Sequence, residues 1–336
     1  MQRREFVTMG LAAAVPACFA AVVPEVDPKT LSVPAFEAAV KTLEATTLFD
    51  DAARKAALAT IQKHIYAMRT AKAFGEYMRG GEKMAPAKLK ALLDANPPLW
   101  WMERSFEKVF KEFQETKVTG DTPAVWYLYN MGVVVKTKTV SFGIDICHRL
   151  APRLAPLLDF ALITHNHGDH FTHPFLQAMA KCGKKVITNF ILTPGSYCRG
   201  TTRVFTFKDV IVRGNDGDHN KGLPDGVTWW EVTCGKEPNA FVICHSGDCC
   251  RHDQFHPVAK HPDLFFGHCA VGLSFPKAYQ TTMPAKFMVP LHHQELGHLG
   301  GRYRCVGFHE EPARIVRELR ALGAKVAMPV WGDRIV

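Results

Sequence analysis

Residues 163–170 read ITHNHGDH, a run that places three histidines and an aspartate within six residues. The run follows the apolar residues 157–163, so it lies where a buried strand would end in a loop. Neutral imidazole nitrogens and carboxylate oxygens are the usual ligands of catalytic Zn²⁺, and groups this close on one loop can face the same ion. The spacing therefore predicts a metal-binding loop, with a polar surface loop as the alternative.

This run resembles the HxHxDH signature of the metallo-β-lactamase superfamily, with matches at His165, His167, Asp169 and His170. The resemblance implies three further metal ligands downstream: a histidine, a carboxylate that ends a later strand, and a last histidine after a further strand. The candidates for these positions in this chain are His219, Asp248 and His292. His219 ends a turn-rich run, and the other two residues follow apolar runs.

The resemblance implies two neighbouring metal sites. Site one would consist of His165, His167 and His219, and site two of Asp169, His170 and His292, with Asp248 bridging them. Two such ions roughly 3.5 to 4 Å apart share a water whose pKa falls toward 7, which then attacks a carbonyl or phosphoryl centre. His167 favours hydrolysis, because the diiron, oxygen-reducing members of the superfamily have a glutamate there. Two Zn²⁺ are the expected cofactors, and the ligand types leave Mn or Fe open.

Two of these assignments have competitors nearby in the sequence. His292 is preferred over His293 and His298 because a Pro-x-His ending of an apolar run matches the family. His219 is preferred over His245, since His245 falls inside the strand whose end carries the bridging aspartate. The remaining histidines are interpreted as surface or core residues: His173, His252, His256, His261, His268 and His309.

The predicted catalytic residues are Asp169, Asp248, His293 and His298. In this prediction one of the two histidines acts as a general acid at leaving-group departure. Asp145 resembles the family's upstream acidic position and would orient a metal-bound imidazole. A strand-end turn carboxylate is the alternative interpretation of Asp145.

The amino terminus is the second informative region. Arg3 and Arg4 precede the small and apolar run 9–23, which is typical of a twin-arginine export signal spanning residues 1–22. We therefore expect a periplasmic or otherwise exported protein, with a chance Arg pair on a disordered tail as the alternative. Residues 15–18 also weakly resemble a lipoprotein box, so membrane contact would depend on lipidation of Cys18.

The rest of the chain divides into a helical part and a strand-rich part. Residues 30–118 are rich in Ala, Lys, Glu and Leu with helical spacing, which predicts an N-terminal helical region. Residues 120–336 contain two sets of short β-rich runs, each followed by a helix, including a closing run at 325–330. The expected fold class is α/β, and the family resemblance implies a four-layer αββα sandwich in residues 120–336 that carries the metal ligands on loops at one edge.

The charge and local motifs limit the substrate classes. The net charge is +9, but the basic residues are interspersed with acidic ones, as on ordinary solvated helices. No RNA-binding module is recognisable, so nucleic acid is disfavoured, and a small anionic substrate fits the basic surplus. Residues 171–174 lack the glycine pair of many lactamase-like members and look closer to the branch of sugar-phosphate lactonases and N-acyl phospholipid phosphodiesterases.

The leading hypothesis is a dinuclear-zinc hydrolase that cleaves an ester, lactone or phosphodiester bond of a small molecule or lipid through a metal-bridging hydroxide. A β-lactamase or a nuclease on the same site is an alternative. A non-catalytic metal-binding protein of the same fold is a third reading, which the complete set of ligands opposes. The sequence leaves the oligomeric state open.

Overall fold

The computed structural model describes residues 26–68, 71–192, 195–200, 202–219, 223–297 and 311–336. The N-terminal part of the chain is helical, and the first strand comes after it. The helices that precede the first strand are α1 Val33–Ala45, α2 Asp51–Ala67, α3 Lys72–Gly80, α4 Pro86–Ala95 and α5 Pro97–Glu115. The first two begin with capping residues, since the side chains of Ser32 and Asp50 accept backbone N–H groups of the first turns of α1 and α2.

Two mixed β-sheets follow the helices. The first has the order β1-β2-β3-β4-β5, with β1 Ala124–Tyr127, β2 Val133–Lys136, β3 Ser141–Ile144, β4 Phe160–Leu162 and β5 Lys185–Ile187. The second has the order β11-β10-β9-β8-β7-β6, with β6 Arg203–Phe207, β7 Val210–Gly217, β8 Val227–Cys234, β9 Phe241–His245, β10 Leu264–His268 and β11 Phe287–Leu291. The later helices are α6 His173–Lys181, α7 Phe275–Lys277, which continues as a π-helical turn Ala278–Thr282, and α8 Glu311–Ala321.

Strand direction brings the ends of many strands to one edge in each sheet. In the first sheet β3, β4 and β5 are parallel, and β1 runs the same way because it is antiparallel to β2, which is antiparallel to β3. In the second sheet β9, β10 and β11 are parallel, and β7 shares their direction through two antiparallel pairings. The loops that follow these strands are therefore available to form one site.

Three apolar clusters show how the layers pack. Alternate residues of both sheets, such as Val135 and Val232, lie in one cluster between the sheets. The opposite face of the first sheet packs against α5 and α6 through residues such as Phe106 and Phe175. The opposite face of the second sheet packs against α7 and α8, as Phe265 does. The two-residue period of the strands thus produces the expected four-layer αββα sandwich.

A buried polar network joins the N-terminal helices to the sheets. Tyr77 of α3 donates a hydrogen bond to Glu103 of α5 (2.5 Å), and its hydroxyl lies 3.0 Å from His148 Nε2 in the loop after β3. Arg149 pairs with Glu103 and donates to the carbonyl of Gly81 at 2.6 Å. Removing one partner of such a buried pair costs about 3 kcal/mol, so this network, here called the helix clamp, fixes the helices to the strand-rich part of the chain.

The structure corrects two of the strand expectations. Residues 264–268 form β10, a central strand that the pattern of apolar residues did not predict. The closing run 325–330 is not a strand; it contributes an isolated bridge between Val326 and Met288. The twin-arginine run and Cys18 lie outside the described residues. Within the described part of the chain, no helix is both long and apolar enough to cross a membrane.

Candidate metal centre

The floor of the site is a pair of residues at the ends of neighbouring parallel strands. Asp145 follows β3 and Thr164 comes shortly after β4, and both side chains are fully buried. Asp145 accepts the Thr164 backbone N–H at 2.8 Å and the Thr164 hydroxyl at 2.7 Å. Gly247 approaches the same threonine so closely that a Cβ would lie 2.6 Å from the Thr164 Cβ. A larger residue at position 247 would push this floor apart.

Hydrogen bonds to the floor fix the tautomers of two predicted ligands. The Thr164 hydroxyl has one proton, which it gives to Asp145, so it accepts from His165 Nδ1 at 3.0 Å. His170 Nδ1 donates to Asp145 Oδ2 at 2.8 Å, because a carboxylate only accepts. In both imidazoles Nε2 is the atom that faces the site. Asp145 therefore orients predicted metal ligands, as the first of its two sequence interpretations stated.

The members of site one come together around one oxygen of Asp248. Its Oδ2 lies 3.6 Å from His165 Nε2 and 3.4 Å from His219 Nε2. The His167 ring is 4.3 Å from the His165 ring and 4.6 Å from the His219 ring, centroid to centroid. One donor atom from each of these four residues lies within 4.8 Å of the others. His167 is exposed, so this side of the centre faces solvent.

The members of site two lie close to one another, and His170 links them to the other oxygen of Asp248. Asp248 Oδ1 lies 3.1 Å from His170 Nε2, while Asp169 Oδ2 lies 3.8 Å from that nitrogen and 3.2 Å from His292 Nε2. His292 follows β11 and has a φ of +64°, a left-handed conformation that turns the chain sharply at the strand end. The two oxygens of Asp248 thus face different histidines, Oδ2 facing His165 and His219 and Oδ1 facing His170, while its bridging role stays a prediction.

The charges at the centre favour a cation. Burial alone would raise the pKa of Asp248, but His170, His268 and His165 hold it well below its usual range. Burial likewise opposes a charge on His170, yet Asp248 and Asp145 raise its pKa well above the usual value. The negative surroundings that favour a proton on His170 would also favour a divalent ion in its place.

A histidine that the sequence left unassigned also lies at this centre. His268 ends β10, is buried, and stacks on the His292 ring with 3.7 Å between centroids. Its Nε2 lies 3.6 Å from Asp248 Oδ2. His268 Nδ1 accepts the Ala270 backbone N–H at 2.8 Å, so the neutral ring has its proton on Nε2. His268 therefore presents a donor to the centre, unlike the predicted ligands His165 and His170, which present a lone pair.

The alternative histidines lie elsewhere. His245 is in β9 and both of its nitrogens are used, since Nε2 donates to Met131 O at 2.9 Å and Nδ1 accepts from Gly247 N at 3.1 Å. His293 is fully buried beside Tyr127, and burial lowers its pKa to about 3. A neutral imidazole inside the core is poorly suited to the general-acid role predicted for it. His298 lies outside the described residues.

The arrangement of atoms fits a metal pair. His165 Nε2, His170 Nε2 and Asp248 Oδ1 are buried and make no hydrogen bond within the described part of the chain. Buried polar atoms are normally paired, so atoms left without hydrogen bonds that converge on one point indicate a missing partner. A set of imidazole and carboxylate donors suits zinc, iron or manganese. The fold and the site thus define an αββα protein with a histidine–aspartate centre built for divalent ions.

No protein-family model matches the sequence, and comparison with curated proteins finds no match. Solved structures do resemble the fold. Igni18, a metallo hydrolase from Ignicoccus hospitalis, is 16% identical with a TM-score of 0.48 over 64% of this chain and 98% of its own. CmlA, a diiron β-hydroxylase from Streptomyces venezuelae, is 12% identical with a TM-score of 0.47 over 63% of this chain. The match spans 53% of that hydroxylase, about half of its length.

Proposed function

We propose that this protein is a metal-dependent hydrolase with two divalent ions, zinc in the first instance. The observation that carries the proposal is the position of Asp248, whose Oδ2 faces His165 and His219 while its Oδ1 faces His170. A carboxylate between two groups of histidines can hold two ions at the separation that hydrolysis uses. When bound, such ions would lower the pKa of a shared water and polarise a substrate carbonyl or phosphoryl oxygen.

The protein's own residues would then perform three tasks. Asp145 holds His170 by a hydrogen bond, and holds His165 through the Thr164 hydroxyl, so that both present Nε2 inward. The neighbouring histidines hold the pKa of Asp248 well below its usual range, so it would meet the ions as a carboxylate. His268 offers an Nε2–H donor to oxygen atoms that gain charge during the reaction. We propose this role for His268 in place of the general-acid role predicted for His293 or His298.

The substrate class is proposed from charge and from the exposed side of the centre. We favour an ester, lactone or phosphodiester of a small molecule or lipid, with a negative charge that the basic surplus of the chain would attract. The entry would lie on the side of His167, the exposed ligand. β-Lactams and nucleic acids are the competing substrate classes.

The test combines metal content with turnover. Protein purified without added metal would be analysed by elemental mass spectrometry beside the Asp248→Ala variant, and both would be given chromogenic phosphodiester, lactone and β-lactam panels. In the parent we expect nearly two zinc ions per chain and turnover on one panel. The Asp248→Ala variant should lose both the zinc and the turnover. Two irons with no hydrolysis would favour oxygen chemistry instead. Protein that takes up no zinc and cleaves nothing would overturn the proposal.

We also propose that the protein is exported through its paired arginines. The supporting feature is the sequence alone, in which Arg3 and Arg4 precede a short apolar run. Changing both arginines to lysine should retain the full-length protein in the cytoplasmic fraction of a twin-arginine-competent host, while the parent appears in the periplasm. A Cys18→Ser variant tests lipidation, because only a lipidated parent would partition into membranes.

A further inference from the structure

One asparagine of the β1–β2 turn lies among the residues of site two. Asn130 is fully buried and has a φ of +58°, the left-handed conformation that asparagine tolerates better than most residues. The turn itself closes through backbone bonds, from Gly132 N to Tyr129 O at 2.7 Å and from Leu128 N to Gly132 O at 2.8 Å. The Asn130 side chain is therefore not needed to form the turn.

The amide of Asn130 serves Asp169 instead. Its Nδ2 donates to the Asp169 carboxylate Oδ2 at 3.0 Å and to the Asp169 carbonyl at 3.1 Å. Both acceptors are oxygens that cannot donate, so the amide nitrogen must face them and the orientation of the amide is fixed. A turn asparagine usually bonds backbone two residues away, whereas this one reaches a residue 39 positions later.

The backbone of the same residue holds the other sheet. His292 N donates to Asn130 O at 3.1 Å, and the Tyr127 hydroxyl donates to the same oxygen at 3.1 Å. Asp169 belongs to the loop after β4 of the first sheet, and His292 follows β11 of the second. One residue thus contacts two ligands of site two that reach the centre from different sheets.

We propose that Asn130 is a positioning residue that assembles site two, with its amide setting the carboxylate of Asp169 and its carbonyl setting the backbone of His292. This inference rests on the proposed two-metal centre. Hydrogen-bond partners of metal ligands change metal affinity by about 10- to 100-fold when they are removed. The loss of affinity should affect the ion of site two, because His165 of site one is oriented by Thr164 and not by Asn130.

The test deletes the amide and leaves the backbone in place. Asn130→Gly keeps the left-handed turn, and Asn130→Ala removes the amide without adding glycine flexibility. Lys208→Gly is the matched control, since Lys208 also has a positive φ (+53°) in a turn between strands but is exposed. Metal-free proteins would be titrated with Zn²⁺ by calorimetry and with Co²⁺ by absorbance, with circular dichroism to verify folding.

We expect two binding steps in the parent and in Lys208→Gly. In both Asn130 variants one step should weaken by about 10-fold or more while the other changes less than about 2-fold, and the cobalt band of the weakened site should shift. Equal weakening of both steps, unchanged steps, or loss of folding in both variants with a folded control would each overturn the role of Asn130. A parent with one step or none would overturn the two-metal centre itself, and this inference with it.

Discussion

The two halves of the metal centre differ in how firmly the fold holds them. Site two is embedded, since His170 is fully buried against Asp145 and both Asp169 and His292 bond to Asn130. Site one is more open, because His167 is exposed, whereas the most accessible side chain of site two, that of Asp169, is 16% exposed. The difference indicates that one ion would be a fixed part of the fold, while the other would lie at the substrate entrance.

The largest expected effect comes from removing the residue that both halves share. Asp248→Ala should abolish both metal-binding steps and lower kcat/KM by at least about 1,000-fold, since the Lewis acidity of the ions supplies several kcal/mol. Calorimetry and turnover on the active panel would measure this. If Asp248→Ala kept one ion at parental affinity, Asp248 would belong to one half only, and the bridging assignment would be wrong.

The contrast between the halves is tested most directly by removing one histidine from each. In metal-free protein, His170→Ala should lower the free energy of unfolding by about 3 kcal/mol because it breaks a buried pair with Asp145. His167→Ala should change it by less than about 0.5 kcal/mol, as exposed positions usually do. Urea unfolding of the two variants measures both values. Equal losses would mean that the two halves are equally embedded.

His268 lies between the halves and should affect turnover without affecting metal content. His268→Phe keeps the stacking on His292 but removes the donor, and we expect kcat to fall by about 100-fold with both metal-binding steps retained. His268→Gln, which keeps an N–H, should recover part of the rate. A His268→Phe protein that loses an ion would show that His268 is a ligand and not a donor.

The smallest expected effect is on the pH dependence of stability, and it comes from His148 of the helix clamp. Burial lowers the pKa of His148 to about 3 from 6.5, so His148 is neutral in the folded protein while the unfolded chain gains a proton below pH 6.5. Its contribution to stability is therefore lost as the pH falls from 6.5 toward 3, by up to about 1.4 kcal/mol per pH unit.

His148→Gln removes this titration. The stability difference between parent and variant should shrink by about 1 kcal/mol between pH 6.5 and pH 5.5, measured by urea unfolding of metal-free protein. His173→Gln is a suitable control, because His173 is an exposed histidine at the start of α6. A stability difference that stays constant over this pH range would show that His148 is solvated and that the clamp is loose.

The sequence predicted the layers and grouped the ligands because those signals are local. His165, His167, Asp169 and His170 lie on one loop, and His292 directly follows an apolar run that became β11. The structure brings these residues, His219 and Asp248 together, although their roles as ligands stay predictions. The layers were implied by the family resemblance of that loop and not by strand alternation, since strands such as β1 and β11 are buried along their whole length.

The sequence missed what depends on contacts between distant residues. In strand β10 only three consecutive apolar residues precede Gly267, which packs against Phe275, so the apolar run was too short to indicate a strand. Because this strand was not predicted, nothing in the sequence indicated that His268, which ends it, lies at the centre. Nothing near Asn130 in the sequence indicates Asp169 either, since their bond exists only after the sheet has formed.

Helix α5 spans two of the three apolar clusters described above. Its first half contributes Trp101 to the cluster between the sheets, and its second half covers the outer face of the first sheet through Phe113. A shortened chain starting near residue 120 would therefore expose Trp126 and leave the Arg149 guanidinium without its carboxylate partner. The boundary between the helical part and the strand-rich part is a change of composition in the sequence, and α5 places side chains of the helical part inside the cores of both sheets.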